Sequence, residues 1–236
     1  MLSERLLRPE MLDHLSPEDP RAIRSRRDLV RVNALMLQPR IMARALSSFH
    51  EAGAPRTILD LGTGDGAFML RVASLLAPQW RDVTVVLFDQ KDIVNRATRE
   101  AFQALHWRVE TMSGELFDAL ERKRMPPSDI VTANLFLHHF TNVQLLLLFR
   151  HVVSLTRLFV ACEPRRSLLA WLSSSNLWVI SCNDVSQHDA RASVEAGFHG
   201  TELSALWPET NDWMLHERGA GLFSHCFAAA RSREGL

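Results

Sequence analysis

Three glycines at alternate positions follow a short apolar run and form a candidate ligand-binding turn. They are Gly62, Gly64 and Gly66, in the stretch TILDLGTGDGAF that begins at Thr57. Glycine adopts positive φ and lets the backbone approach a ligand, and a helix that starts behind such a turn favours a bound anion. The spacing G-x-G-x-G differs from the G-x-G-x-x-G of dinucleotide sites. The pattern predicts a nucleotide-like ligand other than a dinucleotide; the alternative is a turn that serves only packing.

An acidic residue precedes these glycines. Asp60 lies at the end of the apolar run, where a carboxylate is a poor neighbour for a pyrophosphate. It suits a ligand with a cationic group, because opposite charges attract. S-adenosylmethionine (SAM) carries both an ammonium and a sulfonium cation. Asp60 therefore favours SAM as the ligand of the turn.

Histidines supply the candidate proton acceptors, because a neutral imidazole with a pKa of about 6.5 can act as a general base near neutral pH. His138 and His139 follow a predicted strand, at the carboxyl edge of the sheet where ligands bind. His188 lies beside Asp189 in SQHDARAS. We predict that one of the three is a base and favour His139 and His138 on location. The alternatives are that they only cap a turn, or that the substrate needs no base.

Alternating elements must position these residues. From Thr57 onward, strand-like runs alternate with helix-periodic runs, which is typical of a parallel sheet with helices on both faces. The predicted strands are TILDL, VTVVLFD, WRVETMSG, SDIVTANL and RLFVACE. Residues 212–231 resemble a strand, a tight turn at GAG and a returning strand, which is an antiparallel hairpin. We therefore predict an α/β fold whose sheet is parallel with a C-terminal antiparallel hairpin.

The first fifty residues have a different pattern. Leu29, Val32 and Met36 recur at helical spacing, and a second helical run follows Pro39, which breaks or kinks the two. We predict an N-terminal helical segment, residues 1–50, that forms a lid or substrate wall. Residues 51–236 would then form the ligand-binding domain.

The segment ILDLGTGDG resembles the first motif of the class I SAM-dependent methyltransferases, which have a Rossmann-like fold. The segments VVLFD, SGELFD and DIVTANLFLHHF then resemble the later motifs of that family, in the same order. The resemblance covers about residues 50–231. It implies SAM as cofactor and cofactor contacts at Asp60, Gly62, Thr63, Gly64, Gly66, Asp89, Gln90, Glu115, Leu116 and Asn134.

The resemblance also implies roles for individual residues. Asp89 takes the place of the acid that binds both ribose hydroxyls, and Asn134 would lie beside the methionine part of SAM. Glu115 stands where the family usually has aspartate near the adenine. The chain is most similar to small bacterial methyltransferases of secondary metabolism and to quinone-biosynthesis methyltransferases. A small-molecule acceptor follows, and we favour methylation of the oxygen of a phenolic or polyketide-like compound.

The composition limits the partners. The chain of 236 residues has 27 basic and 27 acidic side chains, so its net charge does not call for nucleic acid or an anionic membrane. Three scattered cysteines fit a reducing cytoplasm and form no zinc-binding spacing, so we expect no metal. We expect a cytoplasmic bacterial protein without a nucleic-acid or membrane partner. A homodimer stays open.

Four other functions remain open from the sequence. C-methylation of a quinol-like ring is the nearest. A protein or RNA methyltransferase has its only support in the arginines of residues 21–31. A non-catalytic SAM-fold protein is disfavoured by the intact Asp60, Gly62, Gly64 and Asp89. An NAD-dependent oxidoreductase is disfavoured by the glycine spacing and the final hairpin.

Overall fold

The computed structural model describes residues 4–49, 54–208 and 211–232. The N-terminal helices are α1 (Met11–His14), α2 (Pro20–Leu35) and α3 (Gln38–Phe49). The elements that follow are β1 (Thr57–Leu61), α4 (Ala67–Leu76), β2 (Thr84–Asp89), α5 (Arg96–Ala104), β3 (Arg108–Ser113), α6 (Leu116–Glu121), β4 (Ile130–Asn134), α7 (Asn142–Leu155), β5 (Leu158–Pro164), α8 (Leu168–Ser174), α9 (Asp184–Ala196), β6 (Trp213–Ala220) and β7 (Ser224–Arg231). Short 3-10 turns lie at Leu137–His139, Leu177–Ile180 and Ser204–Leu206.

The strands form one sheet in the order β3-β2-β1-β4-β5-β7-β6. Strands β1 to β5 are parallel, β7 is antiparallel to β5, and β6 is antiparallel to β7. The predicted mixed sheet with a C-terminal hairpin is confirmed. The strand order reverses between β1 and β4, and the crevice at their carboxyl ends is where ligands bind in open α/β sheets.

The central strands are buried on both faces, which explains their continuous apolar runs. Alternate residues of β1 face opposite layers. Ile58 packs with α3, α4 and α5, whereas Leu59 packs with α6 and α7. The sheet is therefore held between two apolar layers and presents its carboxyl edge as a rigid platform.

The hairpin turn lies later than the sequence predicts. The expected turn at GAG is wrong, because Gly219 and Ala220 still pair with His225 and Ser224 in the ladder. The connection begins at Gly221, whose φ of +69° is a conformation that glycine adopts without strain. Because Gly219 and Gly221 lie close together, the sequence does not indicate at which of them the chain turns.

The N-terminal helices do not form one separate layer. Met42 and Leu46 of α3 are fully buried in the core of the sheet domain. Pro39 lies in the first turn of α3, where proline is tolerated, and the chain bends before it at Leu37, whose φ is +57°. The predicted boundary at residues 50 and 51 lies outside the described residues. The lid prediction now concerns the chain before α3.

Among residues 4–49, 54–208 and 211–232, every helix is too short or too polar to cross a lipid bilayer.

Candidate active site

The glycine turn after β1 is held open by its backbone conformation. Gly62, Gly64 and Gly66 have φ of +70°, +58° and +78°. A Cβ on Gly62 would lie 2.1 Å from the Phe136 ring, so a side chain cannot be accommodated there. A Cβ on Gly64 would meet no atom within 4 Å. Gly64 therefore borders open space, into which its backbone is presented.

That space is a cavity of about 360 Å³, which we call the glycine-loop cavity. It lies over the carboxyl ends of β1, β2, β3 and β4. Most of the predicted cofactor residues line it: Gly62, Thr63, Gly64, Asp89, Gln90, Glu115, Leu116 and Asn134. Four strand exits that are distant in sequence thus meet at one cavity.

Two predicted cofactor residues lie behind this lining. Gly66 caps the N-terminus of α4 and packs close to Leu87. Asp60 is buried, and its Oδ1 accepts a hydrogen bond from the Thr132 hydroxyl at 2.7 Å. Burial raises the pKa of Asp60 to about 6, and the nearby charge of Asp89 adds to the rise. These residues support the turn from beneath, whereas the other members of the set border the cavity.

Asp89 ties the turn to the end of β2. Its Oδ2 accepts a hydrogen bond from the Gly64 N–H at 2.8 Å, and its Oδ1 accepts one from the Lys91 N–H at 3.2 Å. Glu115 also has a structural bond, because its Oε2 accepts from the Asp118 N–H at 2.7 Å at the start of α6. Both carboxylates border the cavity in fixed orientations.

Asn134 provides the test of whether SAM fits. Its Oδ1 is buried at the cavity and accepts no hydrogen bond from any described residue. A buried amide oxygen without a donor is costly, and so it calls for a donor from a ligand. SAM offers N–H and O–H donors, and the open space at Gly64 offers room. The residues present therefore fit SAM.

A second cavity of about 180 Å³ adjoins the first, and we call it the apolar cavity. Its walls come from α2, from the segment after β5 and from α9. The residues that face it include Val32, Leu35, Met36, Ala170, Leu177, Ile180 and Val194. The segment from α8 to Ile180 borders this cavity, while Trp178 is exposed.

The two cavities meet at a junction. Both are lined by Glu10, Leu12, Leu29 and Leu135. A molecule in the apolar cavity therefore faces a molecule in the glycine-loop cavity across a short, mostly leucine-lined passage. This arrangement suits transfer of a group between two bound molecules.

His138 is buried beside the junction and lines neither cavity. Its Nδ1 lies 2.8 Å from Glu163 Oε2, and its Nε2 lies 3.2 Å from Glu10 Oε1. Burial alone would lower its pKa, but the bonds to Glu10 and Glu163 outweigh burial and raise the pKa of His138 to about 9. His138 is therefore an imidazolium at neutral pH, clamped between two carboxylates.

His139 lines the glycine-loop cavity. Its ring centroid lies 4.3 Å from that of His138, and Asp13 Oδ2 lies 3.7 Å from its Nδ1. Burial, together with the positive charge of His138, lowers the pKa of His139 below its usual range. A neutral imidazole at the cavity can accept a proton.

His188 lies away from both cavities. Its side chain is 51% exposed, and its Nδ1 lies 2.9 Å from Asp189 Oδ1. The Asp189 carboxylate also accepts the N–H groups of Met11 and Leu12 at 2.7 and 3.0 Å. The aspartate beside His188 therefore holds the N-terminal chain in place. The structure separates His188 from the pair formed by His138 and His139.

Sequence analysis missed two acidic residues of the site. Glu163 is fully buried at the end of β5 and accepts the N–H groups of Phe136 and Leu137 at 3.0 and 2.9 Å. Its place at the carboxyl end of a strand could have identified it. Glu10 carries no sequence signal, because it lies in an irregular segment 128 residues before His138.

Because Glu163 raises the pKa of His138, we predict that the free energy of unfolding depends on pH. A histidine whose folded pKa is about 9 stabilises the fold fully below pH 6.5 and loses that contribution as pH rises through 9. Glu163→Gln keeps an acceptor for the backbone but removes the charge. We expect it to lower the free energy of unfolding by about 2 kcal/mol at pH 6.5, with a deficit that shrinks by pH 9.5, since one pKa unit corresponds to about 1.4 kcal/mol.

Urea unfolding at the two pH values measures this deficit. Glu195→Gln is the matched control, because Glu195 lies on α9 and contacts Arg8 and Trp171 rather than an imidazole. A Glu163→Gln deficit that is equal at both pH values would contradict the prediction.

The family model of the O-methyltransferase domain matches residues 24–158. No curated protein sequence matches the chain. Among solved structures, an O-methyltransferase family protein from Burkholderia thailandensis is 21% identical with a TM-score of 0.61; the match covers 92% of this chain and 61% of that protein. The chain thus spans less than two thirds of that protein's length.

Two further structures show the same fold. The plantazolicin methyltransferase BpumL, in complex with SAH, is 11% identical with a TM-score of 0.62, and the match covers 91% of both chains. The mitomycin 7-O-methyltransferase MmcR is 18% identical with a TM-score of 0.58, and the match covers 94% of this chain and 60% of that one. At these identities the likeness concerns the fold.

Proposed function

The chain belongs to the O-methyltransferase domain family of SAM-dependent methyltransferases, and from that membership we propose that it methylates an oxygen of a small, apolar, phenolic or polyketide-like molecule. One observation carries the substrate proposal: an apolar cavity opens onto the glycine-loop cavity through a shared junction. An acceptor and a cofactor can therefore be held next to each other.

The residues that would hold SAM are those that border the glycine-loop cavity. The glycine turn would present its backbone to SAM, Asp89 would accept the ribose hydroxyls, and Asn134 Oδ1 would receive a donor of the methionine part. Asp60 acts from beneath, through its bond to Thr132 and its charge. SAM supplies an activated methyl group on a positively charged sulfur.

The chain's own residues then have three tasks. The apolar walls exclude water and orient the acceptor, and a positioned acceptor can contribute several kcal/mol of rate enhancement. His139 takes the proton of the acceptor hydroxyl, whose pKa of about 10 for a phenol is too high for spontaneous ionisation at pH 7. Burial keeps His139 neutral by lowering its pKa, and the positive charge of His138, held between Glu163 and Glu10, lowers that pKa further.

The competing functions differ in the support that they have. The family match excludes an NAD-dependent oxidoreductase. The hypothesis of a protein or RNA methyltransferase had its only support in the arginines of residues 21–31. Two of these, Arg21 and Arg31, pair with Asp19 and Asp28. The junction supports a small acceptor, because side chains of α2 and α9 enclose the apolar cavity. C-methylation of a quinol-like ring would use the same cavities and differs only in the atom that attacks.

Saturating SAM or S-adenosylhomocysteine is expected to raise the thermal unfolding midpoint. A ligand at about 100 times its dissociation constant stabilises the native state by about 2.7 kcal/mol. For a chain of this size, that corresponds to a rise of about 5–10 °C. Differential scanning fluorimetry measures the shift, and adenosine 5′-monophosphate, which lacks the methionine part, is the control ligand. An unmoved midpoint with SAM would remove the cofactor from the proposal.

A further inference from the structure

We propose that Glu10 is the acceptor-positioning residue of this enzyme, and that its carboxylate selects acceptors carrying a neutral or cationic hydrogen-bond donor over anionic ones. The inference rests on the proposed function and names the class of substrate more closely. It assigns a role at the junction to a residue from the N-terminal chain.

Glu10 is the polar group at the point where the two cavities meet. The other described residues that line both cavities are Leu12, Leu29 and Leu135. The nucleophilic atom of an acceptor must lie at this junction to reach the cofactor. A polar group beside that atom, surrounded by leucines, needs a partner of its own, because an unpaired buried donor is costly. Glu10 is the group that can supply it.

One oxygen of Glu10 remains available for an acceptor. Oε1 receives both existing bonds, one from the Ser193 hydroxyl and one from His138 Nε2. Among the described residues, none donates a hydrogen bond to Oε2. Burial opposes ionisation, but the bond to His138 outweighs it and lowers the pKa of Glu10 to about 2. The carboxylate is therefore ionised and accepts hydrogen bonds without taking protons.

The N-terminal chain fixes this carboxylate in place. We call residues 5–12 the N-terminal strap. The Arg5 guanidinium donates to the carbonyls of Ala196 and Phe140 at 2.9 and 3.0 Å, and the Leu6 N–H donates to the Glu195 carbonyl at 3.1 Å. Asp189 binds the other end of the strap through two N–H groups. Glu10 lies between these two attachment points, which hold its carboxylate at the junction.

The charged side chains that line the apolar cavity also disfavour an anionic acceptor. Two carboxylates, Glu10 and Asp189, line the cavity. Among the described lining residues there is no lysine, arginine or histidine. An acceptor with a carboxylate or phosphate would meet like charge in an apolar environment, where repulsion is poorly screened. An acceptor with a second hydroxyl or an amine beside its reacting hydroxyl would instead donate from that second group to Glu10, and the reacting hydroxyl stays free for His139.

Two probes of equal ring size test the proposal. The full-length protein is saturated with S-adenosylhomocysteine, and binding of 2,3-dihydroxynaphthalene and of 3-hydroxy-2-naphthoate is titrated by fluorescence. The wild-type protein is expected to prefer 2,3-dihydroxynaphthalene by at least about thirtyfold, because the carboxylate of 3-hydroxy-2-naphthoate faces Glu10. In Glu10→Gln the charge is lost while the shape is kept, and the preference should fall to about threefold or less.

Glu195→Gln is the matched control. It removes a carboxylate that contacts the strap through Arg8 and lines neither cavity, so the wild-type preference should persist. A crystal structure with 2,3-dihydroxynaphthalene is expected to place one hydroxyl oxygen within hydrogen-bond distance of Glu10 Oε2. This contact is a readout that general destabilisation would not produce.

Three results would overturn the proposal: equal wild-type binding of both probes, an unchanged preference in Glu10→Gln, or no binding of 2,3-dihydroxynaphthalene. Circular dichroism and S-adenosylhomocysteine affinity of Glu10→Gln verify that the variant is folded. The proposed function has a separate failure, since loss of S-adenosylhomocysteine binding in the wild type would remove the cofactor whatever the probes do.

Discussion

Replacing His139 by alanine is expected to lower kcat by about 10²–10⁴-fold at neutral pH, the range that positioned bases contribute. His139 borders the glycine-loop cavity, and burial together with the imidazolium of His138 keeps its pKa below the usual range. It is therefore neutral when a phenolic hydroxyl must lose its proton. Cofactor affinity should change little, because a proton acceptor acts on the acceptor molecule.

The pH dependence of this loss identifies the role. The deficit of His139→Ala should shrink as pH rises toward the phenol pKa of about 10, because more of the acceptor is already ionised. The wild-type rate should stay high as pH falls to 6.5 and decline only below that value, since the lowered pKa of His139 delays its protonation. Initial rates between pH 5.5 and 9.5 with a phenolic acceptor measure both trends.

His188→Ala is the matched control for His139→Ala. Its side chain lies outside both cavities, so near-normal turnover is expected. His138→Gln separates a supporting role from a direct one, because loss of the imidazolium charge should move the lower limb of the pH profile. Near-normal turnover in His139→Ala at pH 7 would show that the acceptor is methylated without this base.

Replacing Asp89 by alanine is expected to weaken SAM binding by at least about 100-fold. A carboxylate that accepts two ribose hydroxyls makes charge-assisted hydrogen bonds of about 1.5–3 kcal/mol each. The same side chain also accepts the N–H groups of Gly64 and Lys91. Its loss therefore removes ligand contacts and loosens the glycine turn.

Calorimetric titration with S-adenosylhomocysteine measures the effect. Asp92→Ala is the matched control, because Asp92 follows the same strand but pairs with Arg99 at 3.6 Å and does not line the cavity. The affinity of Asp89→Asn for S-adenosylhomocysteine should lie between those of Asp89→Ala and Asp92→Ala, since asparagine keeps one acceptor oxygen and loses the charge. An Asp89→Ala affinity equal to that of the wild type would show that this carboxylate does not contact the cofactor.

Local pattern was sufficient for the fold and for the glycine-loop cavity. Gly62, Gly64 and the strand-end acid Asp89 each lie at the exit of a parallel strand, and such exits converge at one edge of the sheet. The convergence needs only that the strands are parallel, which the alternation of strand and helix predicts. Asn134 and Glu115 were implied by the family resemblance, and they also lie at the ends of later strands.

Long-range packing was beyond the same reasoning. The contrast between His138 and His139 depends on Glu10 and Glu163, which approach from distant segments. Adjacent residues in sequence thus have opposite pKa shifts, and nothing within their own motif distinguishes them. Asp60 is the opposite case. It lies in the motif that the sequence identifies, but its side chain points inward and bonds to Thr132.

The contacts of the N-terminal strap have a consequence for the order in which the protein folds. Arg5 bonds to Ala196, a residue 191 positions away, and Leu6 bonds to the neighbouring Glu195. Such contacts close very long loops, and they form after the local ones. The strap therefore docks late, after the elements on which it lies. Because Glu10 lies in the strap, a nascent or partly folded chain can assemble its glycine turn but has no complete junction for transfer.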